Sequence, residues 1–135
     1  MNVRNYQTVW NPRLLSILRI AAGLTFLSYG SEKILGFPSG RTPEMFSMSW
    51  NAGLIELVTG ALLALGLFTR PAAFVASGTM AVAYFVAHAP RSFFPSVNDG
   101  AAAILFCFVF LYLVFAGPGP WSLDAMRAKA PGRDI

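Results

Sequence analysis

The sequence predicts an all-α integral membrane protein, a four-helix bundle with both termini on the cytoplasmic side. Its 135 residues are 56% hydrophobic and only 12% charged, which is more apolar material than a soluble domain of this size can bury. The apolar runs are long and do not alternate with polar residues, unlike the strands of a β-barrel. We therefore expect one membrane domain that covers residues 1–135.

The first predicted helix, residues 13–34, carries a positive charge near each end. At 100° per residue, Arg19, Gly23, Gly30 and Lys33 fall on one face of this helix. The glycines would let a neighbouring helix approach closely, and the two charges would face protein rather than hydrocarbon. We therefore expect neighbouring helices to supply counter-charges.

The next apolar stretch contains only two charges, Glu56 and Arg70, and it is long enough for two spans. Gly66 can end one helix and Thr69 can cap the next, which predicts a tight helical hairpin. The predicted second and third helices are residues 51–68 and 71–89.

The fourth predicted helix covers residues 99–116, with Asn98 or Asp99 as its N-terminal cap. The sequence GPGP breaks this helix. The remaining segment, residues 117–135, is a short basic tail that Trp121 can anchor at the interface.

The basic residues are distributed unequally between the two ends of such a bundle. Three lie at the end that contains Lys33, with Arg41 and Arg91. The opposite end has seven: Arg4, Arg13, Arg19, Arg70, Arg127, Lys129 and Arg133. By the positive-inside rule, this second end and both termini face the cytoplasm. Arg19 and Arg70 are interpreted as structural charges at that end.

Lys33 and Glu56 are expected to meet in the outer half of the membrane. Helices one and two run in opposite directions, so these two charges reach a similar depth. Gly53 and Gly60 lie on the same face of helix two as Glu56 and allow close packing there. The pair is interpreted either as a structural clasp or as part of a functional site.

Further polar residues are predicted at the same depth, including the single histidine of the chain. Together they provide an acid, a base and an imidazole, which suffice to bind a quinone head group or a small anion and to move protons. The candidate ligand-binding residues are Tyr29, Lys33, Glu56, His88, Asn98 and Asp99. No metal site is expected, because one histidine and the lone Cys107 do not form a ligand set.

Several motifs together resemble the DoxX family of small bacterial four-helix membrane proteins. They are LLSILRIAAGLTFLSYGSEKILG, GLIELVTGALLALGLFTRPAA, a third helix that ends in His88, and AGPGPWSLD. Two positions depart from the family pattern: Tyr29 stands where the family often has histidine, and Asp99 precedes Ala101, where an acidic residue is often found.

The resemblance implies a small membrane subunit of a quinone-linked redox system. The chain alone is not expected to turn over a substrate, and any catalysis would require an oxidoreductase partner. No cofactor is expected to be covalently bound, and a quinone is the candidate ligand. The alternative is a non-catalytic anchor or assembly factor for a soluble enzyme. The expected partners are the lipid bilayer and a soluble or membrane oxidoreductase subunit. A homo-oligomer is also possible, and no binding of nucleic acid is expected. A transporter is disfavoured because the sequence has no internal repeat.

Overall fold

A computed structural model describes residues 2–129, and all regular secondary structure within them is helical. Arg133 and the end of the predicted tail lie outside the described residues. A π-helical turn, Tyr84–His88, directly continues the third helix. The α-helices are α1 (Val3–Leu35), α2 (Met48–Leu65), α3 (Thr69–Ala83), α4 (Pro95–Asn98), α5 (Ala101–Ala116) and α6 (Leu123–Ala128).

Three helical segments of the described chain are long and apolar enough to cross a membrane: Val3–Leu35, Met48–Leu65 and Thr69–His88. The apolar helix α5 is shorter, at 16 residues. The chain is therefore an all-helical membrane protein with three or four helices able to span the bilayer.

Helix α1 begins at Val3, whereas the sequence analysis placed its start near Arg13. Pro12 lies inside the helix, although a proline cannot donate the backbone hydrogen bond to the preceding turn. The segment before it contains no glycine and no other proline, so helical conformation continues through Pro12 at the cost of one hydrogen bond. The additional turns are exposed to the surroundings up to Leu14.

Helices α1 and α2 pack with their backbones in close contact. A Cβ atom on Gly30 would overlap the backbone of Leu57, and one on Gly60 would lie 2.6 Å from the backbone nitrogen of Leu27. Gly23 is restricted in the same way by Ala64. Each glycine therefore permits a helix separation that any side chain would prevent.

Helix α3 presents a face of small residues to α5, and the apolar core lies between these helices and α1. Phe26 packs its ring edge against Phe110, with ring centres 4.8 Å apart. Leu63 and Leu113 are also fully buried. The face of α3 that contacts this core consists of Ala72, Ala73, Ala76, Ser77 and Met80.

One end of the molecule, here called the Arg19 end, contains the C-terminal ends of α2 and α5 and the start of α3. Arg19 is 1% exposed and donates hydrogen bonds to the carbonyl oxygens of Leu63, Pro118 and Trp121. Backbone carbonyl oxygens, not a carboxylate from a neighbouring helix, therefore accept the hydrogen bonds of this guanidinium. The Leu63 carbonyl belongs to the last turn of α2, where the helix dipole favours a positive charge.

Arg70 plays a similar role at the end of α5, since its guanidinium donates to the carbonyl oxygens of Val114 and Phe115 at 2.9 Å. It also lies against Gly117, where a Cβ atom would come within 2.9 Å of the guanidinium. Both arginines thus donate hydrogen bonds to carbonyl oxygens at C-terminal helix ends.

The N-terminus of α3 is capped by Asp124, not by Thr69 as the sequence analysis expected. The Asp124 carboxylate accepts hydrogen bonds from the backbone N–H groups of Phe68 and Thr69, each at 2.9 Å. Thr69 is already the first helical residue, and its hydroxyl is buried without a hydrogen-bond partner in the described chain. The segment after α5 therefore folds back and closes the Arg19 end.

Candidate functional site

A polar cavity of about 160 Å³ lies at the opposite end of the molecule, here called the Lys33 end. Side chains from α1, α2, α3, the π-helical turn and α5 enclose it. The residues that line it are Phe26, Tyr29, Lys33, Glu56, Met80, Ala83, His88, Asp99, Ala102, Ala103 and Phe106. Five of the six ligand-binding candidates from the sequence thus meet around one cavity.

Lys33 and Glu56 form the expected ion pair, with Lys33 Nζ 2.8 Å from Glu56 Oε1. The lysine stem lies directly over Gly53, where a Cβ atom would approach Lys33 Cβ to 2.5 Å. Gly53 therefore leaves room for the Lys33 side chain in the ion pair, whereas Gly23, Gly30 and Gly60 allow the two helix backbones to pack closely.

The second carboxylate oxygen of Glu56 has no hydrogen-bond partner among the described residues, although it is buried. A buried carboxylate oxygen without a donor is energetically unfavourable unless a proton or a ligand satisfies it. Because Glu56 lines the cavity, a ligand bound there can donate the missing hydrogen bond.

His88 is held in one tautomer by its hydrogen bond to the carbonyl oxygen of Asn98, at 2.9 Å. A carbonyl oxygen can only accept, so Nδ1 carries the proton and Nε2 is left as the acceptor of the neutral ring. The π-helical turn brings His88 to this position, and such turns are frequent at functional sites. His88 can therefore accept a proton or a hydrogen bond from a ligand.

Asn98 does not line the cavity, unlike the other five candidates. Its side chain is fully buried and donates to the Ser92 carbonyl at 2.9 Å and to the Tyr84 hydroxyl at 3.3 Å, while its Oδ1 accepts from the Gly100 N–H at 2.8 Å. Asn98 therefore holds the loop that orients His88. No side chain of the described chain caps α5, contrary to the expectation for Asn98 or Asp99, because the Asn98 oxygen is used within this loop.

Tyr29 and Asp99 are more exposed than the other polar residues of the cavity. Tyr29 is 46% exposed, and its ring packs edge-on against Phe106. Asp99 is exposed and adopts a left-handed backbone conformation with φ of 59°, between α4 and α5. These two residues can connect the cavity with the surface at the Lys33 end.

A larger groove of about 760 Å³ runs between α2 and α3 and adjoins the polar cavity. Lys33, Ala83 and His88 line both spaces. The other groove residues are mostly apolar: Met48, Ser49, Asn51, Ala52, Ile55, Phe74, Val75, Gly78, Thr79, Val82, Val86 and Ala87. The sequence does not predict this groove, because the pattern of apolar side chains on a membrane helix does not show whether they face lipid or a cleft.

Within residues 2–129, no group of three His, Cys, Asp or Glu side chains lies close enough together to hold a metal ion. Cys107 is half-buried, and its backbone carbonyl accepts a hydrogen bond from the Ser77 hydroxyl at 2.8 Å. Its thiol lies 3.5 Å from the same hydroxyl. The cysteine thus contacts α3 at the α3–α5 packing interface.

The fold and the cavity define a small multi-pass membrane protein with an ionisable site between its helices. Residues 14–89 match the family model of DoxX. The chain belongs to the DoxX family, as its motifs indicated.

Proteins of three bacteria are similar to the chain over most of their lengths. A protein of Haemophilus influenzae without an assigned function is 43% identical over 122 residues, which cover 85% of this chain and 91% of that protein. The inner membrane protein YphA of Escherichia coli is 32% identical, covering 84% of this chain and 89% of its own length. A membrane protein of Mycobacterium tuberculosis is 28% identical, covering 87% and 83% respectively. No solved structure matches the chain significantly.

Proposed function

We propose that this protein is a small membrane subunit of a quinone-linked redox system and that its polar cavity binds the quinone head group. The observation that carries the proposal is the buried, unpartnered oxygen of Glu56 in a cavity that also contains Lys33 and His88. A quinone carbonyl can accept a hydrogen bond from Lys33, and a quinol hydroxyl can donate one to Glu56 or His88. Both redox forms of the head group therefore find suitable partners.

The apolar part of the cavity fits a ring better than it fits a small anion. Phe26, Phe106 and Met80 line it beside the polar groups, and aromatic and thioether side chains pack favourably against a flat ring. A cavity of roughly 150 Å³ admits a benzene ring. The space beside Glu56, about 160 Å³, is therefore of the right order for one six-membered ring.

The acid and base groups of the cavity support proton exchange with the bound ring. Reduction of a quinone requires protons as well as electrons, and the electrons would come from an oxidoreductase partner. Glu56 and the Nε2 atom of His88 are the groups able to exchange a proton with the ring, and Asp99 and Tyr29 lead toward the surface. In this proposal the chain contributes the binding site and the proton path, and the partner contributes the electron donor.

The membrane arrangement that accompanies this function is a bundle of four spans in the inner membrane, with α5 as the fourth. At about 24 Å, a helix of 16 residues is slightly shorter than the hydrocarbon layer, which a bilayer accommodates by local thinning. Six basic residues of the described chain lie at the Arg19 end and three at the Lys33 end. This asymmetry supports cytoplasmic termini and a polar cavity in the outer half of the membrane.

A second candidate, an anchor or assembly factor for a soluble enzyme, is favoured by the N-terminal turns of α1. Residues 3–14 extend the helix beyond its buried part, and every one of them is exposed. This segment carries Arg4 and Arg13, and Arg13 lies over the ring of Trp10. Deletion of residues 2–9 would release a co-purifying partner if this segment is the anchor, and would leave quinone binding unchanged.

Equilibrium dialysis of purified protein in detergent tests the main proposal, with a radiolabelled ubiquinone head-group analogue that lacks a chain. We expect saturable binding at one site, and at least tenfold weaker binding in the Lys33→Met, Glu56→Gln double variant. The matched control is Lys129→Met, Glu44→Gln, which removes the same charges from exposed positions. Equal affinity of both double variants and the wild type would contradict the cavity as the binding site.

A further inference from the structure

Gly78 is a glycine within a membrane helix that helix packing does not explain. A Cβ atom built on it would meet no other described atom within 4 Å, whereas the same atom on Gly23, Gly30, Gly53 or Gly60 would collide with a neighbour. Glycine destabilises a helix relative to alanine, so its presence here has no benefit for α3 itself. Gly78 lines the α2–α3 groove and leaves this part of its wall without a side chain.

The groove exists because α2 and α3 separate after the tight turn that joins them. These two helices share much less contact than α1 and α2 or than α3 and α5. Along α3 the groove extends from Phe74 to His88, about 21 Å of helix. Val75, Val82 and Val86 line it and are all substantially exposed, so the groove opens sideways toward the hydrocarbon of the bilayer.

The polar cavity and the apolar groove adjoin each other, because Lys33, Ala83 and His88 line both. The two ionisable groups of the groove, Lys33 and His88, lie at its Lys33 end, and Phe74, Val75 and Gly78 line it further toward the Arg19 end. A molecule with a polar head and an apolar chain would fit this order, with the head at His88 and the chain over Gly78.

We propose that the α2–α3 groove binds the apolar chain of a membrane-resident ligand and is the lateral route by which that ligand reaches the cavity from the bilayer. The inference rests on the proposed head-group site and narrows its ligand to quinones that carry a long chain. Gly78 determines specificity, because it keeps the chain path open. A water-soluble quinone analogue occupies the cavity without using the groove.

The test compares two ubiquinone analogues, one with a decyl chain and one without a chain, on wild-type protein and on Gly78→Leu and Gly78→Ala. Binding is measured by equilibrium dialysis at one fixed detergent concentration. We expect Gly78→Leu to weaken binding of the decyl analogue at least tenfold and to leave the affinity for the chain-free analogue unchanged. Gly78→Ala, which adds only a methyl group, should have a much smaller effect. The decyl analogue partitions into detergent micelles to the same extent with every variant. Differences in its affinity between variants therefore do not depend on this partition.

The outcomes separate this inference from the proposed function. If the chain-free analogue binds and Gly78→Leu does not weaken the decyl analogue, the groove inference is overturned and the head-group site stands. If neither analogue binds wild-type protein, both proposals are overturned. A phospholipid chain is the alternative occupant: loss of co-purifying phospholipid from Gly78→Leu in native mass spectrometry, with decyl analogue binding intact, would assign the groove to lipid and overturn the inference.

A photoreactive probe locates the chain without relying on an affinity change. A ubiquinone analogue with a diazirine near the end of a decyl chain should label residues of the groove between Phe74 and Val86, and excess decyl analogue should compete with it. Labelling confined to the opposite surface of the bundle, for example around Tyr112 of α5, would contradict the route through the groove.

Discussion

Lys33 and Glu56 lie 2.8 Å apart, yet the lysine side chain is 29% exposed and the glutamate side chain only 2%. The two charged groups of this ion pair therefore need their partner to different extents. If Glu56 is removed, the lysine ammonium can turn toward the surface at the Lys33 end. If Lys33 is removed, the glutamate carboxylate is buried without a counter-charge.

This asymmetry predicts that Lys33→Met destabilises the protein more than Glu56→Gln does. An uncompensated buried charge costs about 3 kcal/mol, whereas loss of one hydrogen bond costs about 1 kcal/mol. Thermal unfolding in detergent of the wild type, both single variants and the double variant measures the difference. The double variant should recover part of the Lys33→Met loss, because it leaves no charge behind. Strictly additive losses would show that the pair does not stabilise the fold.

The Asp124 cap of α3 predicts a pH dependence of stability. Burial alone would raise the pKa of the Asp124 carboxyl, but the N–H groups of Thr69 and Phe68 and the charge of Arg127 outweigh it and lower the pKa below its ordinary value. Stability from this carboxylate is therefore complete above the unfolded pKa of about 3.9, and it is lost as the pH falls through the lower folded pKa. Asp124→Asn should cost about 1 kcal/mol at neutral pH, because an amide oxygen can accept only one of the two hydrogen bonds that the carboxylate accepts.

Unfolding midpoints measured from pH 7 downward check this prediction. The difference between wild type and Asp124→Asn should shrink at pH values below about 4, where the wild-type carboxyl takes up a proton. Glu44→Gln is the control, because Glu44 is exposed. A constant difference across this pH range would contradict a role for the Asp124 charge.

The different surroundings of Gly30 and Gly78 predict opposite effects for two glycine-to-alanine changes. Gly30→Ala would force a methyl group into the backbone of Leu57, so we expect a loss of at least about 2 kcal/mol. Gly78→Ala meets open space and should gain up to about 1 kcal/mol from higher helix propensity. Thermal unfolding of both variants in one detergent measures the effects. A Gly30→Ala protein as stable as the wild type would mean that the helices are further apart.

The proposed orientation, with both termini in the cytoplasm, predicts which loops an impermeant maleimide reaches in intact cells. In a Cys107→Ala background, Ser39→Cys should be labelled from outside, because Ser39 is exposed at the Lys33 end. Thr8→Cys at the opposite end should be labelled only after the membrane is broken. The reverse pattern would invert the bundle and place the polar cavity in the cytoplasmic half.

The sequence alone was sufficient for the helical membrane class, the family and the meeting of Lys33 with Glu56. These features depend on local hydrophobicity and on helix periodicity, which place charges at a known depth along each helix. The hairpin turn at Gly66 was also predicted from a local signal, because a helix that ends in a left-handed residue favours glycine at that position. The positions of Tyr29, His88 and Asp99 around one cavity also agree with the depth argument.

Only the tertiary structure determined which groups satisfy the buried polar atoms. Asp124 replaces Thr69 as the cap of α3 from 55 residues away, and carbonyl oxygens of two separate segments accept the hydrogen bonds of Arg19. Such contacts depend on the folding back of the chain after α5, which no local pattern encodes. The α2–α3 groove likewise depends on the angle between two packed helices. Periodicity shows which face of a helix is apolar, but only packing decides whether that face meets protein, lipid or an open groove.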